Sequence, residues 1–285
     1  MKKKQKRVAA VHDISCFGKC SLTVALPIIS AAGIETAVIP TAVLSTHTGG
    51  FSGYTYRDLT DDIEPIVRHW MSLEIEFDAI YSGFLGSFHQ IDIVARLFNA
   101  LSSKKTLTVV DPVMADNGEL YKIFPSDFPK GMKQLCSKAD VIVPNITEAV
   151  LMLGEKYKDG PYTKEYIESL LKKLGKIGAK RIVLTGVALD DKDLGAACYD
   201  TKTKKIDYAF HRRIPGYYHG TGDVFGSVLV AALVNGSPLN EAMKVAVNFT
   251  AESIQRTKDA GTDIRFGVNF EEGIPKLIRD LKLAD

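Results

Sequence analysis

The chain has 285 residues, of which 46% are hydrophobic and 25% are charged, which is close to the average for globular proteins. This composition excludes disordered, collagen-like and coiled-coil chains. The formal net charge of +2 is too balanced for the broad positive surface of a nucleic-acid-binding protein. No apolar run approaches the roughly 18 residues of a membrane span, so we expect neither nucleic acid nor a membrane as a partner.

The basic segment 1–7 precedes a short apolar stretch that His12 and Asp13 interrupt. It therefore lacks the apolar core of about 7–15 residues that a signal peptide needs. We expect a solvated extension at 1–7 and a cytoplasmic protein. The cysteines are too few for a disulfide framework, and Cys16 and Cys20 lack the further ligands of a zinc site, so we expect buried thiols.

Apolar, β-branched runs of strand length alternate along the chain with longer stretches of helical periodicity. The predicted strands cover residues 7–12, 35–41, 78–82, 106–111, 141–144, 181–185, 195–200 and 206–212. The predicted helices cover residues 21–32, 57–73, 90–102, 164–177 and 224–235. Strand followed by helix, repeated, predicts a three-layer α/β/α fold with a mostly parallel central sheet.

The domain organisation follows from the absence of polar or Pro/Gly/Ser-rich linkers and of fixed-period repeats. We therefore expect a single domain over 1–285. The segments 194–200 and 205–212 are joined by four residues and predict a hairpin at the sheet edge.

Polar residues follow three of the predicted strands, where open parallel sheets bind their ligands. Asp111, Asn145 and Thr185 end these runs. Asp111 and Asn145, together with Asp116 and Glu148, offer oxygen atoms of the kind that Mg²⁺ prefers when it also holds phosphates. The alternative is that each residue only ends a strand, turns a loop or caps the helix that follows.

A glycine-rich turn opens the last predicted helix and contains Gly220, Thr221, Gly222 and Asp223. Glycines allow close backbone approach, and the free N–H groups of a helix start bind anions such as the γ-phosphate of ATP. A carboxylate beside such a site is repelled unless it has a function. We interpret Asp223 as a general base for a substrate hydroxyl, with helix N-capping as the alternative.

With these motifs the chain resembles, over residues 8–281, the ribokinase-like small-molecule kinases, and among them the pyridoxal (vitamin B6) kinases. The motifs that carry the resemblance are Gly220-Thr221-Gly222-Asp223, Asp111-Pro112-Val113-Met114 with Asp116 and 118–121, Pro144-Asn145-x-x-Glu148, Ser45-Thr46-His47-Thr48 and the segment 81–87.

The resemblance implies ATP-dependent phosphorylation of the 5′-hydroxymethyl group of pyridoxal, pyridoxine or pyridoxamine. It implies that Asp223 is the base and that Gly220, Thr221 and Gly222 form the anion hole. It assigns the nucleotide and its Mg²⁺ to Asp111, Asn145, Glu148 and Thr185, with Asp111 and Glu148 holding the metal partly through water. It further implies a loop that closes over the site with Asp116 and Tyr121, and a homodimer.

For the pyridine ring the resemblance points to Asp13, His47, Thr48 and Phe84. Many relatives have Ser in place of Asp13 and Tyr in place of Phe84, so the preferred vitamer stays open, and a carboxylate could favour an amine. Some relatives place Thr at the position of Val143, near a monovalent cation, so K⁺ is only weakly expected. The stretch 35–54 offers no extra strands for the lid of sugar kinases.

Three other functions compete with this interpretation. A hydroxymethylpyrimidine or carbohydrate kinase would keep the fold and change the substrate. A non-catalytic nucleotide-binding regulator would keep the phosphate turn without needing a base, and the presence of Asp223 beside the acidic set disfavours it. A nucleic-acid binder would rest only on the N-terminal lysines.

Overall fold

The computed structural model describes residues 4–284, and within them a nine-stranded sheet organises the fold. Its strands are β1 (Arg7–Ser15), β2 (Glu35–Leu44), β3 (Tyr56–Asp58), β4 (Ala79–Ser82), β5 (Leu107–Val110), β8 (Val141–Ile142), β9 (Arg181–Val187), β10 (Asp193–Asp200) and β11 (Ile206–Arg212). A separate hairpin is formed by β6 (Ala115–Asp116) and β7 (Glu119–Leu120).

Helices cover both faces of the sheet. They are α1 (Leu22–Ala31), α2 (Thr60–Ser72), α3 (Phe88–Leu101), α4 (Phe128–Cys136), α5 (Ile146–Leu153), α6 (Lys164–Gly175), α7 (Thr221–Val234), α8 (Leu239–Asp259) and α9 (Ile274–Asp280). No helix within residues 4–284 is long and apolar enough to cross a membrane.

The strand order is β11-β10-β9-β8-β5-β4-β1-β2-β3. The six strands from β9 to β2 in this order pair in parallel, while β10, β11 and β3 are antiparallel to their neighbours. The mostly parallel sheet and the edge hairpin of β10 and β11 are thus confirmed.

Two apolar cores lie on opposite faces of the sheet, because successive strand side chains point to opposite sides. In β1, Val8 packs with α1 and α7, whereas Ala9 and Val11 pack with α2 and α3. In β4, Ile80 and Tyr81 divide between the same two cores. The sheet is therefore buried on both faces, so the surface that is free to bind a ligand lies at the ends of its strands.

Several predicted boundaries differ from the structure. The helix predicted from residue 57 begins at Thr60, because Arg57 belongs to β3 and pairs with Val43. Helix α8 was not predicted, since its later turns bury Ser253 and Thr257 instead of apolar residues. Their hydroxyls donate to the carbonyl oxygens four residues earlier, at 2.7 Å in each case, which satisfies them inside the helix.

The N-terminal extension and the thiols also need correction. Residues 1–3 lie outside the described part of the chain. Arg7 is the first residue of β1 and forms an ion pair with Glu35 at 2.7 Å. Lys6 is half-buried and donates to Val234 O at 2.6 Å, so the expected solvated extension does not reach these two residues. The expectation of two buried thiols was wrong: Cys16 is exposed and Cys20 is half-buried.

Replacing a fully buried residue of α7 tests the packing of this helix on the sheet. Leu229→Ala should lower the free energy of unfolding by about 2–5 kcal/mol, because the side chain is fully buried and leaves a cavity. Chemical denaturation measures the change. The control Leu26→Ala, on the exposed side of α1, should change it by less than about 0.5 kcal/mol. Equal losses in the two variants would contradict the assigned packing.

Candidate active site

The carboxyl ends of the parallel strands form one rim that gathers the predicted site residues. The backbone N–H of Asp111 donates to Ser82 O at 2.9 Å, so this residue continues β5 next to the end of β4. Asn145 bridges in parallel to Thr185 of β9. Asp13 lies near the end of β1, next to β4 in the sheet. Residues that are far apart in sequence therefore meet at the carboxyl ends of the parallel strands.

The glycine-rich turn lies against the loop between β1 and α1. Gly220 adopts a φ of 74°, and a Cβ there would overlap the carbonyl oxygen of Lys19, so only glycine fits. Gly222 has open space around it. Gly220 is the N-cap residue of α7, so the alternative that Asp223 caps this helix is wrong. Asp223 instead occupies the first turn, beside the free N–H groups.

The environment of Asp223 suits a base near neutral pH. Burial raises the pKa of Asp223 from 3.8 to about 7, a hydrogen bond from the Ser21 backbone opposes this shift, and the charge of Asp13 adds to it. The residue remains partly exposed, so a ligand can reach it. A carboxyl group with a pKa close to the working pH can both accept and release a proton.

Asp13 is a second buried carboxyl group near this base. It accepts hydrogen bonds from Ser21 Oγ at 2.6 Å and Ser15 Oγ at 3.2 Å. Burial raises the pKa of Asp13, whereas the two hydroxyls and the nearby His47 lower it. The sequence pattern pointed to Asp13, but the serine hydroxyls that hold it were not predicted.

Asp111 and Glu148 form a second buried acidic pair. Glu148 Oε2 accepts from the Asn145 N–H at 2.8 Å, and Oε1 accepts from the Met114 N–H at 3.1 Å. Burial raises the pKa of Glu148 to about 8. Burial also raises the pKa of Asp111, with added repulsion from Glu148 and Asp223. Such a pair favours a neighbouring cation, because positive charge relieves the repulsion.

Asn145 caps α5, which is the alternative role that the sequence analysis left open for it. Its Oδ1 accepts from the Glu148 N–H at 2.9 Å and its Nδ2 donates to Ala115 O at 2.8 Å. Within residues 4–284 no group of three or more His, Cys, Asp or Glu side chains could hold a metal ion alone. The acidic pair therefore fits an ion that brings phosphate and water ligands with it, which is the usual mode of Mg²⁺.

The β6–β7 hairpin projects beside this acidic pair and contains the predicted lid residues. Asp116 Oδ2 accepts from the Tyr217 hydroxyl at 2.8 Å, which joins the hairpin to the loop before the glycine-rich turn. The Gly118 N–H donates to Thr147 Oγ1 at 3.0 Å. Tyr121 is 38% exposed, and its N–H donates to Met114 O. The structure thus places the hairpin next to α5 and the loop that leads into the glycine-rich turn.

The predicted ring-binding residues lie on loops that border the same rim. His47 Nδ1 accepts from the Gly49 N–H at 3.1 Å, so Nε2 carries the proton and donates to Arg265 O at 2.6 Å. Burial lowers the pKa of His47. Thr48 is exposed, and Phe84 is half-buried against Phe124 with ring centroids 5.7 Å apart.

Two features were missed by sequence reasoning. The ring of His219 lies 5.1 Å from that of His47 and leaves no room for a side chain at Gly49. A cleft of about 460 Å³ also borders the segment that leads into the glycine-rich turn, and it is lined by His211, Arg212, Arg213, Ile214, Pro215, Gln255 and Lys258. No motif marks such a cleft, because its lining comes from a strand end and a distant helix.

Comparisons with known proteins extend over nearly the whole chain. The family model named phosphomethylpyrimidine kinase matches residues 26–267. A structure from Bacteroides thetaiotaomicron, named a "putative phosphomethylpyrimidine kinase" and crystallised with pyridoxal, is 38% identical, covers 96% of each chain and has a TM-score of 0.91. The pyridoxal kinase from Lactobacillus plantarum is 32% identical, covers 97% of this chain and 98% of its own, and has a TM-score of 0.88.

A curated relative agrees with these structures. The pyridoxine kinase of Bacillus subtilis is 28% identical over 184 residues, which are 64% of this chain and 66% of that protein. The resemblance to pyridoxal kinases expected from the motifs is confirmed, as is the α/β fold. The chain therefore belongs to the phosphomethylpyrimidine kinase family, and over nearly its whole length it is similar to pyridoxal kinases of the ribokinase-like superfamily.

Proposed function

We propose that this protein transfers the γ-phosphoryl group of ATP to the 5′-hydroxymethyl group of pyridoxal or a related B6 vitamer. The observation that carries the proposal is Asp223, a carboxyl group with a pKa of about 7 in the first turn of α7, beside a glycine-rich anion site. The pyridoxal in the similar Bacteroides thetaiotaomicron structure supports the acceptor.

In the proposed reaction, ionised Asp223 accepts the proton of the substrate hydroxyl as its oxygen attacks the γ-phosphorus in line. The bond from this phosphorus to the bridging oxygen of ADP breaks as the new bond forms. The N–H groups from Gly220 to Asp223 stabilise the charge on the transferred group. The β6–β7 hairpin, through Asp116 and Tyr121, closes over the site and excludes water as a competing acceptor.

Mg²⁺ with ATP is the proposed cofactor. The buried Asp111 and Glu148 carboxyls would hold it, partly through water, and it would neutralise charge on the nucleotide phosphates. Asn145 keeps Glu148 in place by capping α5, and Thr185, which bridges to Asn145, would contact the phosphates. A monovalent cation near Val143 stays a prediction.

The vitamer ring is proposed to bind between the β1–α1 loop and the loop 47–50, facing Asp13, His47, Thr48 and Phe84. A carboxylate suits a protonated pyridine nitrogen or an amine, because opposite charges attract more strongly where water is excluded. Cytoplasmic location, a single domain and a homodimer also stay predictions.

Hydroxymethylpyrimidine is the second candidate acceptor. The family model that matches this chain is named for phosphomethylpyrimidine kinases, and this observation favours the alternative. Both acceptors present a hydroxymethyl group on a flat nitrogen ring. The role of Asp223 would be the same for either acceptor.

The first test measures ADP release with Mg-ATP over pyridoxal, pyridoxine, pyridoxamine, hydroxymethylpyrimidine and ribose. We expect turnover on a B6 vitamer and a loss in Asp223→Asn of at least about 10²-fold, since removal of the base costs 10²–10⁴-fold. Asp92→Asn, an exposed substitution on α3, is the control. Turnover confined to hydroxymethylpyrimidine or ribose would reassign the substrate, and none on any compound would refute the kinase.

The same variant tests the buried charge through stability. Because the pKa of Asp223 is raised on folding from 3.8 to about 7, the folded state binds the extra proton. The stability of the protein therefore falls as pH rises through this window, and the full penalty persists above it. Asp223→Asn lacks the penalty, so its melting temperature should exceed that of the wild type at pH 8.5 and approach it near pH 4. An equal difference at both pH values would contradict the raised pKa.

Closure of the hairpin can be tested at the Tyr217–Asp116 hydrogen bond. Tyr217→Phe removes the hydroxyl that donates to Asp116, so the lid should close less firmly and admit water. We expect more ADP released per vitamer phosphorylated. Tyr218→Phe is the matched control, because its hydroxyl donates to Pro215 O at 3.2 Å instead. The same ratio in both variants would exclude this role of the hydrogen bond.

A further inference from the structure

Ser21, the residue before α1, has a backbone conformation that serine rarely adopts. Its φ is 54° and its ψ is −127°, a combination that favours glycine. Such conformations cost free energy and persist only where the surroundings enforce them. Ser21 is 6% exposed, whereas Glu74 and Lys204, which also have positive φ values, are exposed.

Helix capping does not explain why serine stands there. Serine is a favoured N-cap residue because its hydroxyl accepts a hydrogen bond from the first turn of the helix. The Ser21 hydroxyl makes no such bond. It donates instead to Asp13 Oδ1 at 2.6 Å, across eight residues of chain.

The backbone of Ser21 faces the second carboxyl group of the acceptor site. The main chain of Ser21 lies near Asp223, the proposed base, where it opposes the rise in the pKa of that carboxyl group. The start of α7 is held against the same loop, because Gly220 lies against the carbonyl oxygen of Lys19. Ser21 also bridges to Ile14, the neighbour of Asp13, which fixes the loop against β1. One residue therefore binds Asp13 through its side chain and lies near Asp223 with its main chain.

We propose that Ser21 is a positioning residue that sets the arrangement of Asp13 and Asp223 around the acceptor hydroxyl, and that its unusual backbone conformation serves these two contacts. This inference rests on the proposed function. Two carboxylates in a buried site repel each other, so donors must fix them before substrate binds. A small displacement of the base lowers the rate more than it weakens substrate binding.

Two substitutions separate the hydroxyl from the backbone conformation. Ser21→Ala removes the hydroxyl and keeps the strain, whereas Ser21→Gly removes both. We expect both to lower kcat by about ten- to a hundredfold, with KM for ATP unchanged. Ser21→Gly should melt at a higher temperature than Ser21→Ala, because both lack the hydroxyl and only glycine relieves the positive φ. The control Lys204→Gly relieves positive φ at an exposed turn, so it should melt above the wild type and leave kcat unchanged.

A second measurement does not depend on turnover. The pKa of Asp13 can be followed by NMR of its carboxyl carbon, and loss of the Ser21 hydroxyl should raise it. The other groups that face Asp13 are the Ser15 hydroxyl, His47, Asp223, Cys20 and Tyr56. They are present in both proteins, so the difference reports Ser21.

The outcomes distinguish this inference from the proposed function. A wild-type enzyme that turns over, with Ser21→Ala retaining its kcat within twofold, would overturn the positioning role and leave the kinase intact. An inactive wild type would refute the proposed function. In that case an unchanged Asp13 pKa in Ser21→Ala would refute the contact as well, and a raised one would support it.

Discussion

The candidate site depends on the burial of four carboxyl groups near the carboxyl ends of the parallel strands. Burial raises the pKa of Asp13, Asp111, Glu148 and Asp223. Within residues 4–284 no lysine or arginine forms an ion pair with any of them. Serine hydroxyls hold Asp13, and backbone N–H groups hold Glu148, instead. Folding thus leaves local negative charge uncompensated, which lowers stability and favours a cation that arrives with its own anionic ligand.

The parallel sheet explains how one edge can gather these groups. Each crossover connection returns the chain to the amino-terminal end of the next parallel strand. The carboxyl ends of all these strands therefore lie on the same side of the sheet. The base reaches this rim by another route, since α7 follows the antiparallel pair β10 and β11 and packs on α1 and α8. Gly220 permits its close approach to the β1–α1 loop. The acidic pair Asp111 and Glu148 and the proposed base Asp223 are therefore carried by separate elements.

The sequence predicted what local chemistry determines. Apolar runs located the parallel strands, and the Gly220–Asp223 turn located the start of α7, because both depend on residues close together in the chain. The anion site at this turn stays a prediction. The hairpin β6–β7 has strands of two residues, which is too short for an alternation pattern. Contacts such as Ser21 with Asp13, and Tyr217 with Asp116, escaped prediction because they join loops and leave no periodic signal.

The proposed base and the acceptor loops lie on different elements, so substrate preference can differ within this family without a change in the base. In the proposed function, the start of α7 supplies the base and the anion site, which any hydroxymethyl acceptor would use. The proposed acceptor side consists of the β1–α1 loop and the loop 47–50. The short 3-10 helix Ile264–Phe266 contacts both loops. The Lys19 N–H donates to Phe266 O at 3.0 Å, and His47 donates to Arg265 O at 2.6 Å. Substitutions in these loops can alter ring recognition without moving Asp223. Selectivity between a pyridine and a pyrimidine would then depend on Asp13 and His47, whereas phosphoryl transfer depends on α7.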